Sequence, residues 1–279
     1  MRSRFVRPLV AAFVIVAFSP VLFRSAAAQA PATAEPTFTV DQMATFLLKA
    51  KVIKSKQTTK GVTQPFKLTL SDGTVTHDAG FQAIDEHEMV RTFADGTREL
   101  NFVDSYQYNI AAYELSKMIG LEDMMPVTVK RTWDGKAGSL SWWLPVMLDE
   151  EARLKTGVHP PDADAWNKQM LKMRVFTALV DDTDRNLTNV LISPEWKLYM
   201  IDFTRGFRLL KTIRRPDDIP KCEKGLFAKM QELTLVDLQT KLKGLVGKNE
   251  LQAMLTRRDA IIAHFKKLIA DKGEAEVLY

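Results

Sequence analysis

The chain has 279 residues, 46% hydrophobic and 26% charged, a globular composition long enough for one large or one bilobal domain. Its formal charge of +5 is not a nucleic-acid footprint, because residues 1–30 hold four Arg and no acid, leaving 35 basic against 34 acidic side chains, a net of +1. The single cysteine, Cys222, excludes an intramolecular disulfide and reads as a buried or loop thiol rather than a nucleophile.

Arg2, Arg4 and Arg7 precede the apolar run Leu9–Phe23, and small residues follow in "RSAAAQAPATAEP". That order is a secretory signal peptide over 1–30, with cleavage after Ala30 or, alternatively, Ala28. The apolar run is shorter than the roughly 20 residues a membrane span needs, so no stable span is expected after cleavage. The chain is therefore expected to be exported, to a periplasm or extracellular space, or to the secretory lumen of a eukaryote. Residues 31–38 are a small-residue linker.

"TVDQMATFLLKAKVIKSKQ" (39–57) reads as a helix or a helix–strand entry with Asp41 as N-cap. "KGVTQPFKLTLSDGTVTHDAGFQAI" (60–84) alternates around the turn "SDG", a hairpin. A strand follows at 98–104, then an amphipathic helix at 106–119 stopped by Gly120. "PVTVKRTWDGKAGSLSWWLP" (126–145) is a second hairpin. A helix over 162–180, capped by Asp162 or Asp164, places Trp166, Met170, Met173, Phe176 and Val180 at core spacing. "NVLI" and "KLYMIDF" form a hairpin around "SPEW", and two helices split by "GKNE" fill the C-terminus.

The chemistry gathers in "LVDDTDRNLTNVLISPEWKLYMIDFTRG" (179–206). Asp184 and Asn189 are five residues apart, and Asp202 follows Asn189 by thirteen, across the hairpin. Asn189 and Asp202 thus converge as two oxygen ligands from the ends of one hairpin. That set suits Mg²⁺, which takes few protein ligands and completes its shell with phosphate and water. Asp184, on the preceding loop, is free to accept a proton from an attacking hydroxyl. The same residues in an EF-hand would need a central Gly and a Glu at position 12, and both are missing. "NLT" (186–188) is also a glycosylation sequon, and turn-capping Asp and Asn would give such a loop a purely structural role.

"DRNLTNVL" followed by "MIDF" resembles the catalytic and metal-binding loops of the kinase fold. The Arg after the first Asp, and "IDF" without a DFG glycine, are similar to the atypical branches: phosphatidylinositol 3-/4-kinases, HipA-like kinases and the Golgi casein kinase family. The resemblance covers about 162–206. It implies an α+β, bilobal kinase-like fold, with a β-rich N-lobe over 39–145 and a mostly helical C-lobe over 146–279. It also implies ATP with Mg²⁺ or Mn²⁺ as cofactor. In this scheme Asp184 is the catalytic Asp, Asn189 and Asp202 are the metal ligands, and Arg205 is a charge partner for phosphate or the loop.

The N-lobe departs from the pattern. A kinase needs a Gly-rich loop, a strand Lys and a helix Glu that holds it. "TTKGVTQPF" offers Gly61 alone, with Lys60 or Lys67 as substitute cations. Gln82 aligns with the Lys, and Asn109 stands where the Glu is expected, with Glu114 as the other candidate. "SLSWWLP" (139–145) is the hinge, with Trp142 and Trp143 beside the adenine. Lys211, Arg214 and Arg215 could face an acidic substrate or solvent. Three readings follow. One is an exported phosphotransferase acting on an unidentified hydroxyl acceptor. Another is a pseudokinase that binds nucleotide or a protein partner without turnover. The third is an unrelated secreted α+β binding protein. No nucleic-acid partner is implied, and oligomeric state is not legible.

Overall fold

The computed structural model describes residues 38–58 and 65–279. The signal segment, linker residues 31–37, Lys60 and Gly61 lie outside the described residues.

The first elements are helix α1 (Val40–Lys49) and strand β1 (Lys51–Gln57). Thr39, not Asp41, caps α1, in a reciprocal box with Gln42. Asp41 sits in the first turn, where its charge faces the positive end of the helix. Strands β2 (Phe66–Ser71) and β3 (Thr76–Gln82) make the hairpin at Asp72–Gly73. Strands β4 (Asp85–Thr92) and β5 (Arg98–Ser105) form a separate two-stranded ribbon. Helix α2 (Tyr106–Ile119) follows, capped by Ser105 and ended by Gly120 in the left-handed region. Strands β6 (Thr128–Trp133) and β7 (Lys136–Trp142) turn through Asp134 and Gly135, both at positive φ, the geometry that matches strand twist in a two-residue hairpin.

The N-lobe sheet has the order β1-β2-β3-β7-β6, antiparallel throughout. In an antiparallel pair, opposed residues share a face, and alternate residues change face. Lys67, Gly80, Gln82, Ser139 and Ser141 are thereby on one face, and Leu68, Ala79, Phe81 and Leu140 on the other. Helix α1 packs on β6 and β7, and so does α2. Gly138 lies where β7 crosses β3: a Cβ there would come within 2.4 Å of the Gln82 carbonyl oxygen. Only glycine lets the strands approach so closely at Gln82.

Residues 143–147 connect this sheet to the C-lobe. There β8 (Leu148–Asp149), β9 (Val190–Ile192) and β10 (Leu198–Met200) make a small sheet, in the order β10-β9-β8. Helices α3 (Glu150–Thr156) and α4 (Ala163–Val180) lie between β8 and β9. Asp162 caps α4, and Trp166, Met173, Phe176 and Val180 are buried along it, with Met170 partly so. Helices α5 (Lys224–Glu232), α6 (Leu235–Lys241), α7 (Lys248–Lys272) and α8 (Glu274–Val277) complete the lobe. Cys222 is fully buried, and burial pushes its thiol up to about 12. Among the described residues, no helix is long and apolar enough to cross a membrane.

The architecture is thus α+β and bilobal: a β-rich lobe carrying helices, a short connector, and a mostly helical lobe.

Candidate functional site

The acidic loop forms because α4 stops abruptly. Asp181 takes a left-handed conformation as its C-cap, which a short polar side chain tolerates. The chain then runs back beside the segment after β10. Phe207 N donates to Val180 O at 2.6 Å, and Thr183 N to Arg205 O at 3.3 Å. These bonds hold the loop carrying Asp184 against the turn carrying Asp202. Asp202 also has positive φ, at 58°. That turn docks on the N-lobe through Ser105 N to Thr204 O, 2.9 Å, and Phe203 N to Asn109 Oδ1, 2.7 Å.

Asn189 and Asp202 stand at the two ends of the β9–β10 hairpin, joined by Ile201 N donating to Asn189 O at 3.1 Å. Asn189 Nδ2 donates to Asp184 O at 3.3 Å. Asp202 Oδ1 accepts from Gln82 Nε2 at 3.4 Å and from Thr204 Oγ1 at 3.1 Å. Among the described residues, no hydrogen bond reaches Asn189 Oδ1 or Asp202 Oδ2. Two hard oxygen donors are left for a ligand. No group of three or more His, Cys, Asp or Glu among the described residues could hold a metal alone. The donor set therefore fits a cation that brings most of its own oxygen ligands, as Mg²⁺ or Mn²⁺ does on a phosphate. Burial raises the Asp202 carboxyl above its usual range, and the Arg185 charge opposes that rise.

Both residues line a cavity of about 630 Å³ between the lobes. Its walls are mostly apolar, with Phe66, Tyr113, Met125, Leu191 and Met200 among them. Trp143 lines it too, its indole lying against Gly80 and beneath Lys67 Nζ at 4.4 Å. Trp142 also lines the cavity, and its ring stacks on His77 and packs with Phe38 and Phe46.

Asp184 is outside the cavity wall and exposed. What burial its carboxyl has, and then the Asp182 charge, raise its proton affinity, while Arg205 lowers it. Arg205 does not turn to the cavity: it pairs with Glu99 at 2.5 Å and lies over the Phe102 ring. Glu99 also takes Arg208, which bonds the Asn101 carbonyl as well.

Gln82 and Asn109 meet directly, Asn109 Nδ2 donating to Gln82 Oε1 at 2.6 Å. Glu114 does not face them. It pairs with Lys117 one turn on and is absent from the cavity wall, because position 114 lies on another side of α2 from Asn109 and Tyr113. Lys67 is held by Asp78 at 2.8 Å. Of the basic loop, Arg214 pairs with Asp181 at 2.5 Å, and Arg215 lies 3.4 Å from Asp218.

Reasoning from sequence missed Arg185 as an organiser. It pairs with Asp182 and reaches three carbonyls along the hairpin ends. Its position directly after Asp184 was the available signal. Asp149, buried in the cavity wall as the cap of α3, was also missed, because β8 is only two residues long.

No protein-family model matches the sequence, and a search of curated proteins finds no match. Solved structures do match. The structure of hydra Fam20 with sugar superposes with a TM-score of 0.62 at 13% identity, covering 86% of this chain and 92% of that one. A crystal structure of the Golgi casein kinase gives 0.59 at 15% identity, covering 86% and 77%. The same kinase with Mn/ADP bound gives 0.60 at 14%, covering 86% and 78%. The chain has a kinase-like fold.

Proposed function

We propose that this chain is an exported kinase-like phosphotransferase that uses ATP and Mg²⁺ or Mn²⁺ to phosphorylate a hydroxyl acceptor. The observation that carries the reading is that Asn189 and Asp202 line one apolar interlobe cavity, with no hydrogen bond to Asn189 Oδ1 or Asp202 Oδ2 among the described residues. The Mn/ADP complex of a structural neighbour supports the choice of ligand.

In this scheme the adenine stacks beneath Trp143, and the phosphates extend toward Asp202. Asn189 and Asp202 would hold the divalent cation, which would supply positive charge to offset that of the phosphates. The acceptor hydroxyl approaches from the exposed side, where Asp184 orients it. Its oxygen bonds to the γ-phosphorus, the bond to the departing diphosphate breaks, and the hydroxyl proton passes to Asp184. The raised proton affinity of Asp184 suits that last role. Arg205, through its charge on Asp184, tunes it rather than touching phosphate.

Thermal unfolding with ATP, with and without Mn²⁺, tests the reading. A ligand of the folded state stabilises by roughly 2.7 kcal/mol at a hundred times its dissociation constant. A metal-dependent rise in midpoint that disappears in Asp202→Ala supports a nucleotide cleft. No rise at millimolar ATP sinks it. Transfer of labelled phosphate to a hydroxyl acceptor then separates an enzyme from a pseudokinase, the second reading, which the neutral Gln82–Asn109 pair favours. Export rests on the pattern of residues 1–30 and is tested by the N-terminal sequence of the protein recovered outside the cytosol.

A further inference from the structure

A second cavity, of about 500 Å³, opens on the C-lobe between α3, α4 and the segment at Pro220 and Lys221. It shares no lining residue with the interlobe cavity, although the two meet at consecutive positions: Asp149 lines one and Glu150 the other. Its side-chain charges are four cations, Arg153, Lys168, Arg174 and Lys221, against the carboxylates of Glu150 and Asp164. The excess of positive charge survives counting a carboxylate at Tyr279, which also lines the wall.

The four cations differ in what holds them. Arg153 is fully engaged. Its Nε and Nη2 donate to Glu150 at 2.6 and 2.7 Å, its Nη1 donates to Val158 O at 3.1 Å, and its guanidinium lies over the Trp166 ring. Glu150 is buried, so this pair makes a fixed base rather than a movable contact. Lys168 pairs with Asp164 at 2.6 Å and Lys221 with Glu276 at 3.5 Å, but both pairs are exposed. Exposed pairs contribute little, so either lysine turns to a ligand at small cost. Arg174 is exposed on α4 and, among the described residues, has no hydrogen bond and no ion pair.

Asn167, Met170, Leu171 and Arg174 recur at i, i+3, i+4 and i+7, so they form one stripe along α4. Two apolar side chains thus lie between an amide and an unpaired guanidinium, over a rise of about 10.5 Å. An extended peptide advances about 3.3 Å per residue, so about three residues span the stripe. A small anion would engage Arg174 and leave the apolar centre and the amide unused.

We infer that this cavity is a docking site for an acidic peptide segment of a partner protein, which lays an apolar side chain on Met170 and Leu171 and a carboxylate on Arg174. The guanidinium fork matches a carboxylate in two parallel bonds. Asn167 offers both a donor and an acceptor to the peptide main chain. Lys168 and Lys221 add charge at the rim. The inference does not depend on the nucleotide reading, because no residue of the interlobe cavity enters it.

The test is a titration of ¹⁵N-labelled protein, followed by NMR, with a blocked tripeptide of glutamate, phenylalanine and glutamate. Its counterparts with glutamine or lysine in place of both glutamates are titrated in parallel, as is inorganic phosphate. The acidic peptide should shift amides of α3 and α4 and bind at least about tenfold more tightly than the glutamine peptide, an advantage that 0.5 M NaCl reduces. The lysine peptide should bind more weakly still. Arg174→Gln, at an exposed position, should fold as the wild type does and lose about tenfold in affinity for the acidic peptide. Lys266→Gln, which removes an exposed cation of α7 outside the cavity, should leave that affinity unchanged. An acidic peptide that binds no better than the glutamine peptide, or not at all, overturns the inference. So does undiminished affinity in Arg174→Gln, or an equal loss in Lys266→Gln, which would make the attraction one of net charge alone. Phosphate binding as tightly as the acidic peptide would also overturn it, leaving a small-anion site.

Discussion

Arg185 stands directly behind Asp202, with Nη2 3.3 Å from the Asp202 carbonyl and Nη1 2.5 Å from that of Ile201. The same Nη1 donates to Asn189 O at 3.0 Å, and Nη2 pairs with Asp182 at 2.6 Å. One planar fork thus spans the loop before Asp184 and both ends of the β9–β10 hairpin.

Arg185→Met leaves Asp182 buried without its cation, a class of change that costs about 3–5 kcal/mol. Urea unfolding should show a loss of that order. Arg185→Lys keeps the charge but cannot reach three carbonyls and a carboxylate at once. It should fold and lose most of the Mn²⁺–ATP thermal shift. A normal shift in that variant would mean the hairpin ends are held by β9 and β10 alone.

Asp202→Asn should leave the unliganded protein as stable as the wild type, or more stable. Burial is the leading cause of the raised carboxyl. Folding therefore disfavours the charged form, and a neutral isostere removes that cost while still accepting from Gln82 and Thr204. The Mn²⁺–ATP shift should vanish. Gain of apo midpoint with loss of ligand response is the signature of a site held at the expense of stability. A clear drop in apo stability would instead give Asp202 a structural role.

Cys222 should not react with a thiol reagent at pH 8 in the folded state. The thiol is fully buried, and its pKa, pushed up to about 12, leaves almost no thiolate. One equivalent should react on unfolding, so the reaction rate reports opening of the segment that joins Cys222 to the C-terminal strand bridge at Leu278. Fast labelling of native protein would contradict the burial.

The sequence showed the site better than it showed the scaffold around it. Asp184, Asn189 and Asp202 announce themselves by spacing, since the hairpin between them is local and its apolar runs alternate. Helix α2 was legible to the residue, because Ser105 and Gly120 punctuate it. Strand β4 was not. "DEHEMVRT" is charged and exposed along most of its length, so no face is marked by hydrophobicity. Glu99 could not be matched to Arg205 and Arg208, because more than a hundred residues separate the partners and any carboxylate would look the same in one dimension. That Gln82 and Asn109 are neutral amides was visible in the sequence. That the two amides would bond to each other and to Asp202 depended on β7 closing on β3 at Gly138.

Arg257 carries the last prediction. It is fully buried in α7 and, among the described residues, pairs with no carboxylate. Its Nε donates to the carbonyls of Ala178 at 3.0 Å and Leu179 at 2.9 Å, and Nη1 to those of Arg208 at 3.2 Å and of Leu210. Burial lowers its pKa to about 10, so it is still charged at neutral pH. The first two carbonyls belong to the last turn of α4, where Ala178 O also takes a 3.3 Å bond from Asp181 N and where a cation meets the negative end of the helix. The other two belong to the segment leaving the Asp202 turn. Arg257 therefore clamps the chain before Asp184 to the chain after Asp202 from below. Arg257→Met keeps the apolar volume and leaves the buried carbonyls of Leu179 and Arg208, and the part-buried one of Leu210, short of a donor, each costing roughly 1–3 kcal/mol less whatever water recovers. Urea denaturation should lose at least about 3 kcal/mol, with the slope unchanged. Because both clamped segments lead into the site, the surviving folded protein should also bind Mn²⁺–ATP more weakly. A stability loss with wild-type affinity would confine Arg257 to the scaffold.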